Sequence, residues 1–285
     1  MEGAVPHRVS VISFLFVLAA TPAHAQLTDS PRSLAMGGIG SDPVGSSAVI
    51  RNPAGMARAA TYAAEAQFFR DADKTNALAI SVVDSKTQPT MAVGISYGYQ
   101  FADGDLTNNG NDLRVAIAHP VIPDRLSVGA GLHYLSIDRG KDVPALEGFT
   151  LDAGFLFSVT QAFHIAGIGH NLLDMDEPSL PRRMGGGLSY TGALALALDV
   201  LADLDTHADG PKPVFNAGLE ILLGGAVPIR LGYENDGAAE TQWISGGLGF
   251  MTGGPANKGQ FAISYRHNLD NNDRYVFGIG LTSFL

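Results

Sequence analysis

From Thr61 onward the chain alternates large apolar residues with small ones at a period of two, the signature of β-strands. In "RLSVGAGLHYL", Leu126, Val128, Ala130, Leu132 and Tyr134 share one face, while Ser127, Gly129, Gly131 and His133 share the other. "FTLDAGFLFSV" sets Phe149, Leu151, Ala153, Phe155, Phe157 and Val159 against Thr150, Asp152, Gly154 and Ser158. "FNAGLEILL", "VPIRLGYE" and "QFAISYR" repeat the pattern. The second face is the constraining one, because it is Gly, Ala and Ser with isolated charges. A soluble sandwich or barrel needs Lys, Glu and Thr there to make a solvated surface, and only 16% of this chain is charged. An outer-membrane barrel inverts the arrangement, with apolar side chains outward against lipid and small or polar ones inward. The expected fold class is therefore all-β, a transmembrane outer-membrane β-barrel.

About fourteen such runs can be counted, an even number within the range of bacterial barrels. They begin near Thr61, Asn76, Pro89, Asn111, Arg125, Glu147, Ala162, Arg182, Ala193, Pro213, Ala226, Thr241, Gly259 and Arg274. Connections after odd-numbered runs read as long and acidic, such as "HNLLDMDEPSLP" and "ADLDTHADGPK". Those after even-numbered runs read as short, such as "TQ", "TG" and "GG". Long outer loops alternating with short periplasmic turns would place both termini in the periplasm. The last run, "RYVFGIGLTSFL", puts Tyr275, Phe277, Ile279 and Leu281 on the lipid side, with Phe284 next to last.

The N-terminus reads as an export signal. Arg8 precedes an apolar run, Val9 to Ala20, too short to span a bilayer as a helix, and Ala23-His24-Ala25 fits the small-x-small cleavage rule. Cleavage before Gln26 removes one acid, Glu2, and one base, Arg8, so the mature chain keeps the net charge of -10. That acidity argues against nucleic acid, which requires a basic face. With no Cys in 285 residues there is neither a disulfide framework nor a thiolate metal site. The expected organisation is a signal peptide at 1–25, an N-terminal hatch at 26–60 and the barrel at 61–285.

Within the hatch, "AVIRNPAGMARA" (Ala48 to Ala59) is poorly equipped to hold itself. Asn52 suits a helix cap and Pro53 the first position, but Gly55 weakens so short a turn. "SLAMGGIGSDPVGSSAVIRNPAGMA" (Ser33 to Ala57) resembles the hatch of FadL-type hydrophobic-compound transporters, with a small-residue stretch followed by an Asn-Pro-Ala element. The same stretch is similar to the start of the PorV (UPF0164) group, as are "HNLLDMDEPSLPRRMGGGLSY" and "IRLGYEND". Both groups imply a fourteen-stranded barrel around a plug. The resemblance makes Arg51, Asn52, Pro53, Ala54, Gly55 and Arg58 candidate plug or gate residues, with Gly55 expected to allow close approach to the barrel wall and Arg51 and Arg58 to reach inward carboxylates such as Asp152, Glu220 or Glu234.

Other motifs carry less. Gly94-Ile95-Ser96-Tyr97-Gly98 matches the G-x-S-x-G nucleophile pattern, which needs a strand-to-helix turn, yet here it continues the alternation of a strand. No H-E-x-x-H and no close pair on one face occurs among the eight His, so no metal site is expected; His133 and His170 read as polar fillers. Asp174, Asp176 and Glu177, and Asp203, Asp205 and Asp209, form acidic loop clusters without EF-hand spacing. Bridging to lipopolysaccharide phosphates is the sharper reading of them and solvated surface the plainer one. Arg114, Asp152, Arg183, Asp199, Glu220, Arg230, Glu234 and Arg266 would face the lumen, with both signs present to pair across it.

Three functions remain. The first is a FadL-like channel for passive passage of small hydrophobic or amphipathic compounds, gated by residues 26–60. The second is a PorV-like barrel that transports nothing and serves as membrane partner of a secretion, motility or surface-attachment complex. The third is a simple porin-like barrel. No catalytic residue and no cofactor is expected, and the partners would be outer-membrane lipid and lipopolysaccharide.

Overall fold

The computed structural model describes residues 29–103, 109–141, 143–205, 210–253 and 258–285. The expected signal peptide, 1–25, lies outside them, as does Asp209. Two short helices, α1 (Pro31–Ala35) and α2 (Ser46–Arg51), and a 3₁₀ turn (Pro53–Arg58) come first. Fourteen strands follow: β1 (Tyr62–Asp71), β2 (Thr75–Asp84), β3 (Ala92–Ala102), β4 (Asn109–Ile122), β5 (Leu126–Asp138), β6 (Leu146–Ser158) and β7 (Phe163–His170). The second half comprises β8 (Arg183–Tyr190), β9 (Leu194–Asp203), β10 (Lys212–Leu223), β11 (Val227–Asp236), β12 (Thr241–Gly253), β13 (Lys258–Asn268) and β14 (Tyr275–Phe284). Each strand starts within three residues of the position its alternation marks.

Every strand pairs antiparallel with its sequence neighbours, and β1 closes on β14 from Ala63↔Phe284 to Asp71↔Val276, so the barrel has no free edge. Closure satisfies the backbone polar groups that an open sheet would leave bare in lipid. Both ends of the barrel sequence meet at one rim, where the Leu285 amide donates to the Tyr62 carbonyl (2.8 Å). We call this the terminus rim and the opposite end the loop rim. No helix among the described residues is long and apolar enough to cross a membrane.

The two faces sort as their chemistry requires. Leu198, Leu231 and Leu281 point outward and are more than half exposed, whereas inward Ala77, Ala79, Ser81, Ser96 and Ser264 are buried. Near the loop rim, outward tyrosines carry their hydroxyls to polar partners: Tyr97 to Asn111 (2.6 Å), Tyr134 to Glu147 (3.0 Å) and Tyr233 to Gln242 (2.9 Å). Aromatic rings with one wet end suit the boundary between lipid and water. Leu198→Arg, on the lipid side of mid-β9, is expected to cost about 2–4 kcal/mol in urea unfolding from lipid vesicles. Leu198→Ile in the same assay should behave as the parent protein.

The loops depart from expectation. Segments 72–74 and 237–240 are tight turns, while 85–91 at the terminus rim is longer than either, so the contrast between the rims is narrower than the sequence suggests. β4 begins at Asn109, two residues ahead of the start its alternation marks, and the Asp71 carboxylate at the end of β1 accepts from the Thr75 amide (2.9 Å). The longest connection, 171–182, replaces a missing stretch of wall. β6 pairs with β7 only over Ala153–Ser158, and beyond it the Leu172 amide donates to the Leu151 carbonyl (2.7 Å). The Thr150 hydroxyl donates to the Leu173 carbonyl alongside (2.9 Å).

Candidate functional site: a plug within the lumen

The small inward residues leave a lumen, and residues 29–59 lie within it, from Phe69 and Ala77 near the loop rim to Val83, Ala92 and Thr191 near the terminus rim. α1 is capped by Ser30, whose Oγ accepts from the Ser33 amide (3.0 Å), and it starts on Pro31. Its Leu34 packs on inward Phe69 and Ala77. Gly37 and Gly38, both with φ above +70°, turn the chain out of the helix in the left-handed region that glycine alone adopts freely. The segment then crosses the β8–β11 wall. There the Gly40 amide donates to Asp199 (2.6 Å), and the Ser189 hydroxyl donates to the Ser41 carbonyl (2.7 Å). α2 buries Ala48 and Val49 beside Met56 against Val83, Ala92, Ala116 and Ala118.

Asn52 holds the next turn, which is 3₁₀ rather than α. Its Oδ1 accepts from the Ala54 amide (3.2 Å), and its Nδ2 donates to the carbonyls of Gly40 (3.2 Å) and Gly167 (3.3 Å). One side chain thus caps the turn, ties it to the rest of the plug and reaches the wall at the short β6–β7 pairing. Pro53 and Ala54 lie against β5, where the Ser127 hydroxyl donates to the Ala54 carbonyl (2.8 Å). Gly55 was expected to allow close approach to the wall. Its neighbour is instead Pro43 of the plug, whose Cγ lies 2.3 Å from where a Cβ on Gly55 would stand.

The plug arginines also depart from expectation. Arg51 and Arg58 do not form ion pairs with the inward carboxylates Asp152, Glu220 or Glu234. Arg51 pairs with Asp29 (2.6 Å) and Arg58 with Asp42 (2.5 Å), both within the plug. Arg58 also donates to Thr191 (2.8 Å) at the terminus rim. The plug arginine with an ion pair to a wall strand is Arg32, which bridges Asp42 (2.7 Å) and Glu220 (3.2 Å). Asp29, Arg32 and Asp42 were absent from the sequence-based candidates. The available signal was that, with Arg51 and Arg58, they are the charged residues of a segment composed mostly of small, apolar or hydroxylated side chains.

All eight expected lumen charges do face inward, yet they pair along the wall or with the plug rather than across an open bore. Glu220 and Arg230 are Cα partners on β10 and β11, with an ion pair of 2.5 Å. Glu234 takes Arg266 (2.6 Å), whose guanidinium also lies 4.3 Å from the Trp243 ring centroid. Arg114 pairs with Asp112 (3.2 Å), reaches Asp152 (3.8 Å) and donates to the Ile50 carbonyl of α2 (3.2 Å). Arg183 pairs with Asp236 and lies 3.8 Å from Asp203. Asp199 serves the plug directly. Buried charges so paired avoid the cost of standing alone.

Above the plug, segment 171–182 folds over the loop rim. Leu180 and Met175 pack on inward Leu135, Ile137 and Leu146. Two of its three acids have protein counter-ions: Glu177 with Arg139 (2.9 Å) and Asp174 with Arg182 (3.0 Å), which also takes Asp205 (2.7 Å). Burial works against the Glu177 charge, but the Ser179 hydroxyl and Arg139 outweigh it and hold its carboxyl below the usual range. No group of side chains able to hold a metal ion occurs among the described residues. Ser96 sits mid-β3 opposite Ser81 and Arg114, with no turn into a helix.

At the terminus rim the plug leaves space. A half-open cavity of about 340 Å³ lies between plug residues such as Val44 and Met56 and the wall at Val83, Thr191, Ala195 and Glu220.

No family model matches the sequence, and a search of curated proteins finds no match. Solved structures do match. The CymD monoaromatic hydrocarbon channel is 15% identical, with a TM-score of 0.62 over 90% of this chain and 96% of that one. The P. putida toluene transporter TodX is 11% identical, with a TM-score of 0.60 over 91% and 99%. The Ralstonia pickettii toluene transporter TbuX is 14% identical, with a TM-score of 0.56 over 89% and 96%. These belong to the FadL side of the resemblance; the PorV side gains no support from them. At such identities the likeness shows the fold: a closed antiparallel barrel of fourteen strands, the architecture of outer-membrane transporters.

Proposed function

We propose that this protein is an outer-membrane channel for passive passage of small hydrophobic or amphipathic compounds, with residues 29–59 as its gate and both termini in the periplasm. The observation that carries the reading is how the plug is held. Asp29–Arg51 and Asp42–Arg58 close within it, and the one ion pair from plug to wall is Arg32–Glu220 among the described residues. A plug that coheres within itself can shift along the wall without first unfolding. The cavity beside it is lined mainly by apolar groups, among them Pro43, Val44, Met56, Val83 and Ala195, which suits a solute with an apolar body. Likeness to hydrocarbon channels in fold agrees with this reading, and the outward apolar belt requires lipid to cover it.

The test is uptake of N-phenylnaphthylamine, a neutral apolar dye that fluoresces in lipid and is excluded by an intact outer membrane. Cells displaying the folded barrel should take it up several-fold faster than cells with an empty vector. Equal rates with the barrel correctly inserted would refute the channel.

A further inference from the structure

We infer that the cavity beside the plug binds a small uncharged compound with an apolar body and one hydrogen-bond donor, such as a phenol or an alcohol. This rests on the channel reading for its purpose but not for its geometry. Pro43, Val44, Met56, Val83 and Ala195 supply the apolar lining. The volume, about 340 Å³, is at the small end of ligand pockets.

The polar lining decides the class. It holds two cations, Arg32 and Arg58, and two carboxylates, Asp42 and Glu220, so its formal charge cancels. The cations are engaged: Arg32 donates from Nε to Glu220 (3.2 Å), from Nη1 to the Asp42 carbonyl (2.7 Å) and from Nη2 to the Asp42 carboxylate (2.7 Å). Both terminal nitrogens of Arg58 are engaged by Asp42 (2.5 Å) and Thr191 (2.8 Å). Asp42 has each oxygen taken by one of these arginines. Glu220 differs. Its Oε2 accepts from Arg32 (3.2 Å) and Arg230 (2.5 Å), while its Oε1 accepts no hydrogen bond among the described residues. The residue opposite Glu220 on β9 is Ala195, a small side chain that also lines the cavity.

An anion would have to displace Asp42 or Glu220 from an arginine. An ammonium ion would lose its hydration to meet a carboxylate already shared by two guanidiniums, and buried charge without its own partner is costly. A neutral donor satisfies Glu220 Oε1 without breaking any pair.

Four compounds with one ring and different heads separate these cases: p-cresol, toluene, benzoate and benzylammonium, titrated at pH 7 into the detergent-solubilised full chain. p-Cresol should bind about tenfold tighter than toluene, the gain of one hydrogen bond to a charged acceptor. Benzoate and benzylammonium should bind more weakly than toluene. Val44→Trp, at a residue 44% exposed in the folded chain, should fill the cavity and abolish binding. In Glu220→Gln, Arg32 and Arg230 keep the carbonyl and p-cresol loses its charged acceptor, being left to accept from the amide NH₂, so its preference over toluene should fall well below that of the parent. Equal affinity for p-cresol and toluene, tighter binding of either ion, or unchanged binding by a folded Val44→Trp protein would each overturn the inference. Dye uptake without p-cresol binding removes this site and leaves the channel standing. p-Cresol binding without dye uptake does the reverse.

Discussion

Asp42→Asn is expected to release the plug while the barrel stays folded. Asp42 is 2% exposed and neutralises Arg32 and Arg58 from its two oxygens. The substitution keeps size but removes the charge that both guanidiniums share, and it sets an NH₂ donor against one of them. Breaking one partner of a buried ion pair costs about 3–5 kcal/mol. A change of about 3 kcal/mol shifts the ratio of displaced to seated plug roughly a hundredfold. The β-strand pairings do not involve Asp42, so barrel melting should stay unchanged. Planar-bilayer recording should show steady conductance where the parent shows little, and trypsin should cut at Arg51 or Arg58. Unaltered conductance together with unaltered proteolysis would show that this ion pair does not hold the plug.

A second route to the open state leaves every charge in place. A Cβ on Gly129 would stand 2.4 Å from the Ala54 amide nitrogen, and one on Gly232 would stand 2.2 Å from that of Gly37. Backbone cannot yield at such distances as a flexible side chain can. Neither glycine has a positive φ, and alanine in a strand is favoured over glycine by about 0.5–1 kcal/mol. The double variant Gly129→Ala/Gly232→Ala should therefore keep or slightly gain barrel stability while excluding the plug, giving conductance at least as high as Asp42→Asn. Gly131→Ala is the control on the same inward face: its nearest neighbour would be 3.5 Å away, ordinary contact. If the double variant conducts no more than Gly131→Ala, the plug is not seated by these contacts.

Much of the barrel was readable because alternation is a local property. The runs "RLSVGAGLHYL" and "FTLDAGFLFSV" each state their two faces, and β5 and β6 run as those runs mark them. Loop lengths were less legible. Asx residues favour turns in isolation, yet Asn109 extends β4 ahead of its marked start at Asn111 because a neighbouring strand is there to pair with it. The inward direction of Asp152, Glu220 and Arg266 followed from parity alone. Their partners did not, since pairing depends on which strands and which plug atoms lie beside them.

The plug divides the same way. Asn52 and Pro53 mark a turn start in any context, and that reading survives in the Asn52 cap. Arg51 and Arg58 looked like hooks for the wall, but a chain folded back within a confined lumen brings its own acids closer than the strands do. Asp29 and Asp42 stand 2.6 and 2.5 Å from them. The sequence by itself determined the period, the faces and the closed-barrel class, because lipid tolerates only one sorting of side chains and one way to satisfy backbone groups. Only the tertiary structure decided which carboxylate meets which arginine, which glycines seat the plug, and that Glu220 beside the cavity takes both its arginines on one oxygen. Those contacts join residues far apart in the chain, and their energies depend on distances of a few ångströms that no local pattern encodes.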